Sequence, residues 1–235
     1  MIGFVYVVYV KLFFGGRKFE SVELDALAER MGVLGLLGST KFGRYFKSKS
    51  RISAISFGSR IIFGLNCWNR LNEEQRLALG AHEFVHIKER DSQRKVRRLL
   101  VPSLIAAVLT FLLWLSFVHS IPLNLAVLSF GLVLALIAWL VTLALAIGVN
   151  ARWNRKIELR CDTTAASYVD GEVLIGALEV CDSMVSKKVK NSWTYRLTAK
   201  TYPTQEERVE AIRKVIGQSR GSALELSKEG TGEKP

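Results

Sequence analysis

Hydrophobic and polar positions divide this chain into segments with different periods. Ile2 to Phe14 is apolar except for Lys11, and Gly15-Gly16-Arg17-Lys18 ends the run. At about 13 residues it is shorter than the roughly 20 a membrane span needs, so a strand, a surface anchor and the remnant of a longer span all fit it. From Glu20 to Met31 the apolar set Val22, Leu24, Leu27 and Ala28 recurs at helical spacing and predicts a packing helix. Gly32 to Ser39 reads as a connector. Between Lys41 and Trp68 the pattern turns to short runs of β-formers parted by Ser and Gly. Phe42–Phe46, Ile52–Phe57 and Ile61–Leu65 predict a small antiparallel sheet.

A second helix is marked at its start. Asn72 is a good N-cap, Gln75 falls at the third helical position of a capping box, and Glu73 and Glu74 suit the positive helix end. Leu77, Ala78, Ala81 and Val85 carry the apolar pattern on, and the helix is expected to run past Arg90. Two shorter amphipathic helices are expected over Val173–Val185 and Thr204–Gln218, and Arg220 to Pro235 reads as a polar tail.

The longest feature is an uncharged block from Leu99 to Ala151. A single helix from Leu99 to Val149 would measure roughly 76 Å, far beyond a hydrocarbon layer of about 30 Å. His119-Ser120-Ile121-Pro122 forms a break, so two antiparallel spans are the economical reading, with a buried hairpin of a soluble protein as the alternative.

Charge sharpens this picture. The chain carries 33 Lys and Arg against 21 Asp and Glu, a net +12. Much of the excess flanks the apolar block: Lys88, Arg90, Arg94, Lys95, Arg97 and Arg98 before it, Arg152, Arg155 and Lys156 after it. Basic ends with an uncharged loop place both ends in the cytoplasm. No nucleic-acid-binding module or basic-aromatic alternation is present, so the charge is read as a membrane signal. Cys67, Cys161 and Cys181 form neither a disulfide framework nor a C-x-x-C site, which suits a reducing compartment. No signal peptide with a cleavage site is evident.

The capped helix also holds the chemistry. Ala81-His82-Glu83-Phe84-Val85-His86 reads H-E-x-x-H and takes two of the chain's three histidines. On a helix, residues four apart leave one face, so both imidazoles can reach one metal ion at about 2.0–2.1 Å. Glu83, about 100° round the helix, is placed to hold a water rather than the metal. A catalytic zinc site has three protein ligands, and His119, in the loop between the spans, lies on the wrong side of the membrane. Two crossings return the chain to the side of His82. There Glu158 and Asp162 are four apart on an expected helix, so Glu158 could bind the metal and Asp162 could fix the tautomer of a ligand imidazole. By themselves, the same two carboxylates also suit surface ion pairs with Arg155 and Arg160.

At these residues the chain resembles the HtpX-like zinc metallopeptidases, relatives of the type I CAAX prenyl proteases. In those families an H-E-x-x-H helix is followed by membrane spans and an E-x-x-x-D helix with the third ligand. Ser53-Ala54-Ile55-Ser56-Phe57-Gly58 is similar to their N-A-F-A-x-G strand, and Leu71–Gln75 through His86–Asp91 to their metal helix. Thr201-Tyr202-Pro203 with Arg208 resembles their late H-P-x-x-x-x-R segment. The likeness covers roughly residues 20–217. Ser53 stands where Asn is usual and Tyr202 where His is usual, and a phenol could replace the oxyanion donor.

The resemblance implies an α+β zincin-like (gluzincin) domain, mainly helical with a small antiparallel sheet, interrupted by a two-helix transmembrane hairpin. The expected organisation is an apolar N-terminal segment, 1–18, and the first protease segment, 19–98. The hairpin at 99–149, the second protease segment at 150–218 and a flexible tail at 219–235 follow. One zinc ion per chain would be held by His82, His86 and Glu158. Glu83 would be the general base, Tyr202 a further catalytic residue, and Asp162 and Arg208 the groups behind the ligands. The implied activity is a metalloendopeptidase of the cell membrane, multi-pass with its site facing the cytoplasm. Its substrates would be misfolded or membrane proteins. A CAAX-type prenyl-peptide protease and a non-catalytic zinc-binding sensor or scaffold are the alternatives.

Overall fold

The computed structural model describes residues 17–38, 43–48, 53–120, 125–185, 191 and 201–230. The apolar run Ile2–Phe14 and the break at Ile121-Pro122 lie outside them. The described residues form two compact units, one containing residues up to Ser92 together with those from Lys156 onward, the other Gln93–Arg155.

The first unit opens with β1 (Arg17–Phe19) and α1 (Val22–Arg30). Ser21 caps α1 by accepting from the Leu24 amide at 3.2 Å, and Leu24, Leu27 and Ala28 turn inward as the apolar spacing predicts. Strands β2 (Tyr45–Ser48), β3 (Ala54–Phe57) and β4 (Arg60–Gly64) follow, in the sheet order β1-β2-β4-β3. The sheet is mixed rather than antiparallel: β2 pairs with β4 in parallel, Tyr45 opposite Ile61, while β1–β2 and β3–β4 are antiparallel. Gly58, at φ 62°, makes the two-residue turn that joins β3 to β4. That hairpin sets β4, not β3, beside β2, and a strand reached by a crossover is free to pair in parallel. Within the expected run Phe42–Phe46, Phe42 lies outside the described residues, Gly43 takes φ 80°, and β2 begins at Tyr45. Strand β1 was not expected. It is three residues long, and Phe19 anchors it against Phe63 and Trp68.

Helix α2 (Leu65–Arg70) leads into α3 (Glu73–Lys88), where both halves of the Asn72–Gln75 capping box are formed. Ten consecutive residues of α3, Ala78 to Ile87, are buried. Such all-round burial is expected of a helix enclosed by its own domain. It is packed by α1, by β3 and β4, and by α6 (Gly171–Ser183). α3 does not continue past Arg90. Arg90 takes φ 54°, a left-handed conformation that ends the helix, and Asp91 begins α4 (Asp91–Ser120).

The rest of the first unit starts on the last turns of α5 (Leu125–Ala165), where Ile157, Cys161 and Ala165 join the core. α6 and α7 (Gln205–Gly230) complete the unit, with Ile212 fully buried. α7 continues beyond Gln218, through the helix-forming stretch Ala223-Leu224-Glu225-Leu226.

The second unit consists of the apolar portions of α4 and α5. Among the described residues one helical segment, Asp91–Ser116, is long and apolar enough to cross a membrane, and Val133–Thr142 is a shorter apolar stretch. Large apolar side chains stand on the surface of both, Leu113 at 72% exposure and Leu145 at 66%. The start of α4 meets the end of α5 where the Arg98 guanidinium lies 4.3 Å from the Trp153 ring centre.

Candidate metal centre

The capping box fixes the start of α3, so its hydrogen-bond ladder sets His82 and His86 one above the other, ring centres 4.9 Å apart. α5 brings Glu158 across from them. Glu158 Oε2 lies 3.3 Å from His82 Nε2 and Oε1 lies 3.7 Å from His86 Nε2. Ligands about 2.05 Å from a tetrahedral ion sit roughly 3.3 Å from one another, so this trio is spaced to close on a single cation. The three form one of two groups among the described residues whose possible ligand atoms lie within 4.8 Å of one another, and all are largely buried; His86, Asp91 and Cys161 form the other.

Each histidine has a carboxylate at its other nitrogen, and each carboxylate has an arginine behind it. Asp162 Oδ1 is 2.9 Å from His82 Nδ1, within reach though bent away from full hydrogen-bond alignment. Arg208 donates to both oxygens of Asp162, Nε at 2.6 Å and Nη2 at 2.7 Å. Asp91 Oδ2 is 3.0 Å from His86 Nδ1, and Arg160 Nη2 donates to both oxygens of Asp91 at 2.9 Å. The residue pattern picks out Asp162 and Arg208 but misses Asp91 and Arg160. The left-handed Arg90 is what folds Asp91 back onto a ring in the preceding helix, and nothing in helical spacing signals it.

Cys161, fully buried, places Sγ 3.3 Å from the same His86 Nδ1 and 3.8 Å from Asp91. These three gather on the ring nitrogen that faces away from Glu158. They orient His86 rather than compete with the trio.

The electrostatics agree with a site that needs a cation. Burial opposes a charged His82, but Asp162 and Glu158 outweigh it and raise its pKa to about 10. His86 is raised likewise, against burial, by Asp91, Cys161 and Glu158. Glu158 is held well below its ordinary range, since the two imidazoles overcome the cost of its burial. Without a metal both imidazoles are therefore held towards the protonated form, and a metal ion would have to displace those protons.

Glu83 is 5% exposed, and its Oε2 is buried with no protein partner among the described residues. An unsatisfied buried carboxylate oxygen costs folding free energy and, beside this trio, points to a water or a metal-bound ligand. Tyr202 is 44% exposed in the turn before α7, and among the described residues no hydrogen bond joins it to His82, His86 or Glu158.

An H-E-x-x-H helix, a carboxylate from a later helix and a buried acid beside them define the metallopeptidase class. The profile of peptidase family M48 matches residues 44–216, and the chain belongs to that family. Among solved structures it is similar in fold to the Ste24p of S. mikatae, with a TM-score of 0.58 at 20% identity. That match covers 90% of this chain and 55% of the other, so the chain spans about half of that protein's length. No curated protein sequence matches it.

Proposed function

We propose that this chain is a membrane-integrated zinc metalloendopeptidase whose metal is held by His82, His86 and Glu158. The observation that carries the reading is the trio's spacing beside the unpartnered Glu83 Oε2. Two imidazoles and one carboxylate are a donor set suited to zinc, and three ligands leave a position open for water. Zinc bound there would supply Lewis acidity, bringing a water's pKa towards 7 and polarising a scissile carbonyl.

The chain's own residues supply the rest. Glu83 takes the proton as water attacks the carbonyl carbon and returns it to the departing amine. Asp162 and Asp91 fix the tautomers of His82 and His86, so that Nε2 of each faces the trio's centre. β3 is an edge strand packed beside α3, a position in which an extended polypeptide can be held by added strand pairing. Tyr202 remains a candidate oxyanion donor on the family resemblance, its exposure leaving it free to turn inward with substrate.

The apolar surface of α4 and α5 supports a two-span anchor, and the six basic residues of 93–155 at the hairpin's ends support a cytoplasmic site. On the family resemblance the substrates are misfolded or membrane polypeptides.

The test is zinc content and casein cleavage of the full chain in detergent, with and without chelator, alongside Glu83→Gln. The expected result is one zinc per chain, cleavage abolished by chelator and restored by zinc. Glu83→Gln should keep its metal and lose at least about 100-fold in turnover. Metal without turnover in the unmodified chain would favour a scaffold instead.

A further inference from the structure

Two of the three cysteines, far apart in sequence, meet in the fold. Cys67 on α2 and Cys181 on α6 are separated by 114 positions, yet their sulfurs lie 2.7 Å apart. Both are free thiols. A covalent S–S bond is about 2.05 Å, so closing it requires a movement of only about 0.7 Å. The other thiol, Cys161, is engaged with His86 and Asp91 and takes no part.

The two thiols are not equivalent. The hydrogen bond from Cys181 lowers the pKa of Cys67 against the opposing effect of burial. The same bond, with burial, pushes Cys181 up. The two directions favour Cys67 over Cys181 as the thiolate of the pair. Cys67 is 1% exposed while Cys181 is half-buried, and an open cleft of 560 Å³ lined by Asn66, Asn69, Arg70, Ser183 and Met184 flanks both helices.

We infer that Cys67 and Cys181 form a reversible disulfide site in which hydrogen peroxide is the oxidant. The Cys67 thiolate attacks one peroxide oxygen. The O–O bond breaks, hydroxide leaves, and Cys67 becomes a sulfenic acid. The sulfur of Cys181 then attacks Cys67 Sγ as its proton departs with the sulfenic hydroxyl as water. Two thiols and one peroxide give one disulfide and two waters, the thiols losing two electrons and the peroxide gaining them. A dithiol reverses the step by exchange at the more exposed Cys181 sulfur. In a reducing cytoplasm such a bond is transient and follows peroxide.

The bond would staple α2, upstream of the metal helix, to α6, downstream of Glu158. Its loop encloses all three residues of the trio, so the two halves of the protease unit could not part while it is closed.

The test is peroxide titration of the full chain in detergent micelles, followed by alkylation, peptide mass mapping and thermal melting. Two of the three thiols should be lost together, a Cys67–Cys181 linked peptide should appear within monomers, and dithiothreitol should restore both. The oxidised form should melt higher by on the order of 5 °C. In Cys181→Ser, peroxide should leave Cys67 as a sulfenic acid trapped by a dimedone probe. Independent loss of the three thiols, linkage between chains, or a Cys67 sulfinic acid without the linked peptide would overturn the proposal. If Cys181→Ser does not fold, the peptide map of the unmodified chain decides alone.

Discussion

Asp91 Oδ2 stands 3.0 Å from His86 Nδ1, although Asp91 belongs to the helix after the one that carries His86. The contact exists because Arg90 breaks α3 with a left-handed residue. Arg160 then holds both Asp91 oxygens and fixes the carboxylate's orientation. Asp91→Asn can present its amide N–H to His86 and so favour the wrong tautomer. Zinc affinity should fall by about 10–100-fold while the far-ultraviolet circular dichroism stays unchanged. An affinity equal to that of the unmodified chain would reduce Asp91 to a helix-start residue.

The Asp162–Arg208 pair makes the equivalent prediction for His82. Burial alone would raise the Asp162 pKa, but Arg208 and His82 together hold it below the usual carboxylate range. Arg208→Ala leaves a buried carboxylate without its bidentate partner, which costs on the order of 3 kcal/mol. Arg208→Lys keeps the charge but only one contact, and should recover part of the stability and less of the zinc affinity. Full recovery of both by lysine would show that charge rather than the guanidinium fork matters here.

These two relays show how far sequence carries the site. His82, Glu83 and His86 are related by helical arithmetic alone, and so are Glu158 and Asp162, because i and i+4 share a face in any helix. Their meeting depends on the chain coming back from the apolar block, whose length and basic flanks are also legible. Asp91 escapes because its position depends on one backbone dihedral at Arg90. The Cys67–Cys181 contact escapes because it is set by packing between elements 114 positions apart. The parallel pairing of β2 with β4 escapes for a similar reason, since alternation identifies strands without ordering them.

The protonation of the trio gives metal-free and metal-loaded protein opposite pH dependences. In the folded metal-free state His82 has its pKa raised to about 10 from an unfolded value near 6.5, and His86 is raised too. That stabilisation is complete below pH 6.5 and is lost as pH climbs towards 10, amounting to a few kcal/mol. Glu158, held low, adds stability present above about pH 4.5 and lost on acidification through its folded value. Metal-free protein should therefore melt highest between about pH 4.5 and 6.5. Zinc must displace the imidazole protons, so its affinity should rise with pH over the range in which the metal-free form weakens. Melting curves with and without chelator from pH 5 to 9 check this, and parallel curves would contradict the shared-proton site.

Gly171 tests whether the docking of α7 positions Arg208. A Cβ added there would lie 2.6 Å from Ile216 Cδ1, 2.8 Å from its Cγ1 and 3.1 Å from Ile212 Cγ2. Ile216 must rotate or shift to admit the Cβ and fully buried Ile212 must give by a few tenths of an ångström, so Gly171→Ala strains the seating of α7 on α6. Overpacking of this kind costs about 1–3 kcal/mol, against a gain of at most about 1 kcal/mol from replacing glycine in a helix. The melting temperature should drop by several degrees. Arg208 rides on α7, so its grip on Asp162 should loosen and zinc affinity should fall although no residue of the trio has changed. A lower melting temperature with unaltered zinc affinity would mean that Arg208 reaches Asp162 independently of how α7 is seated.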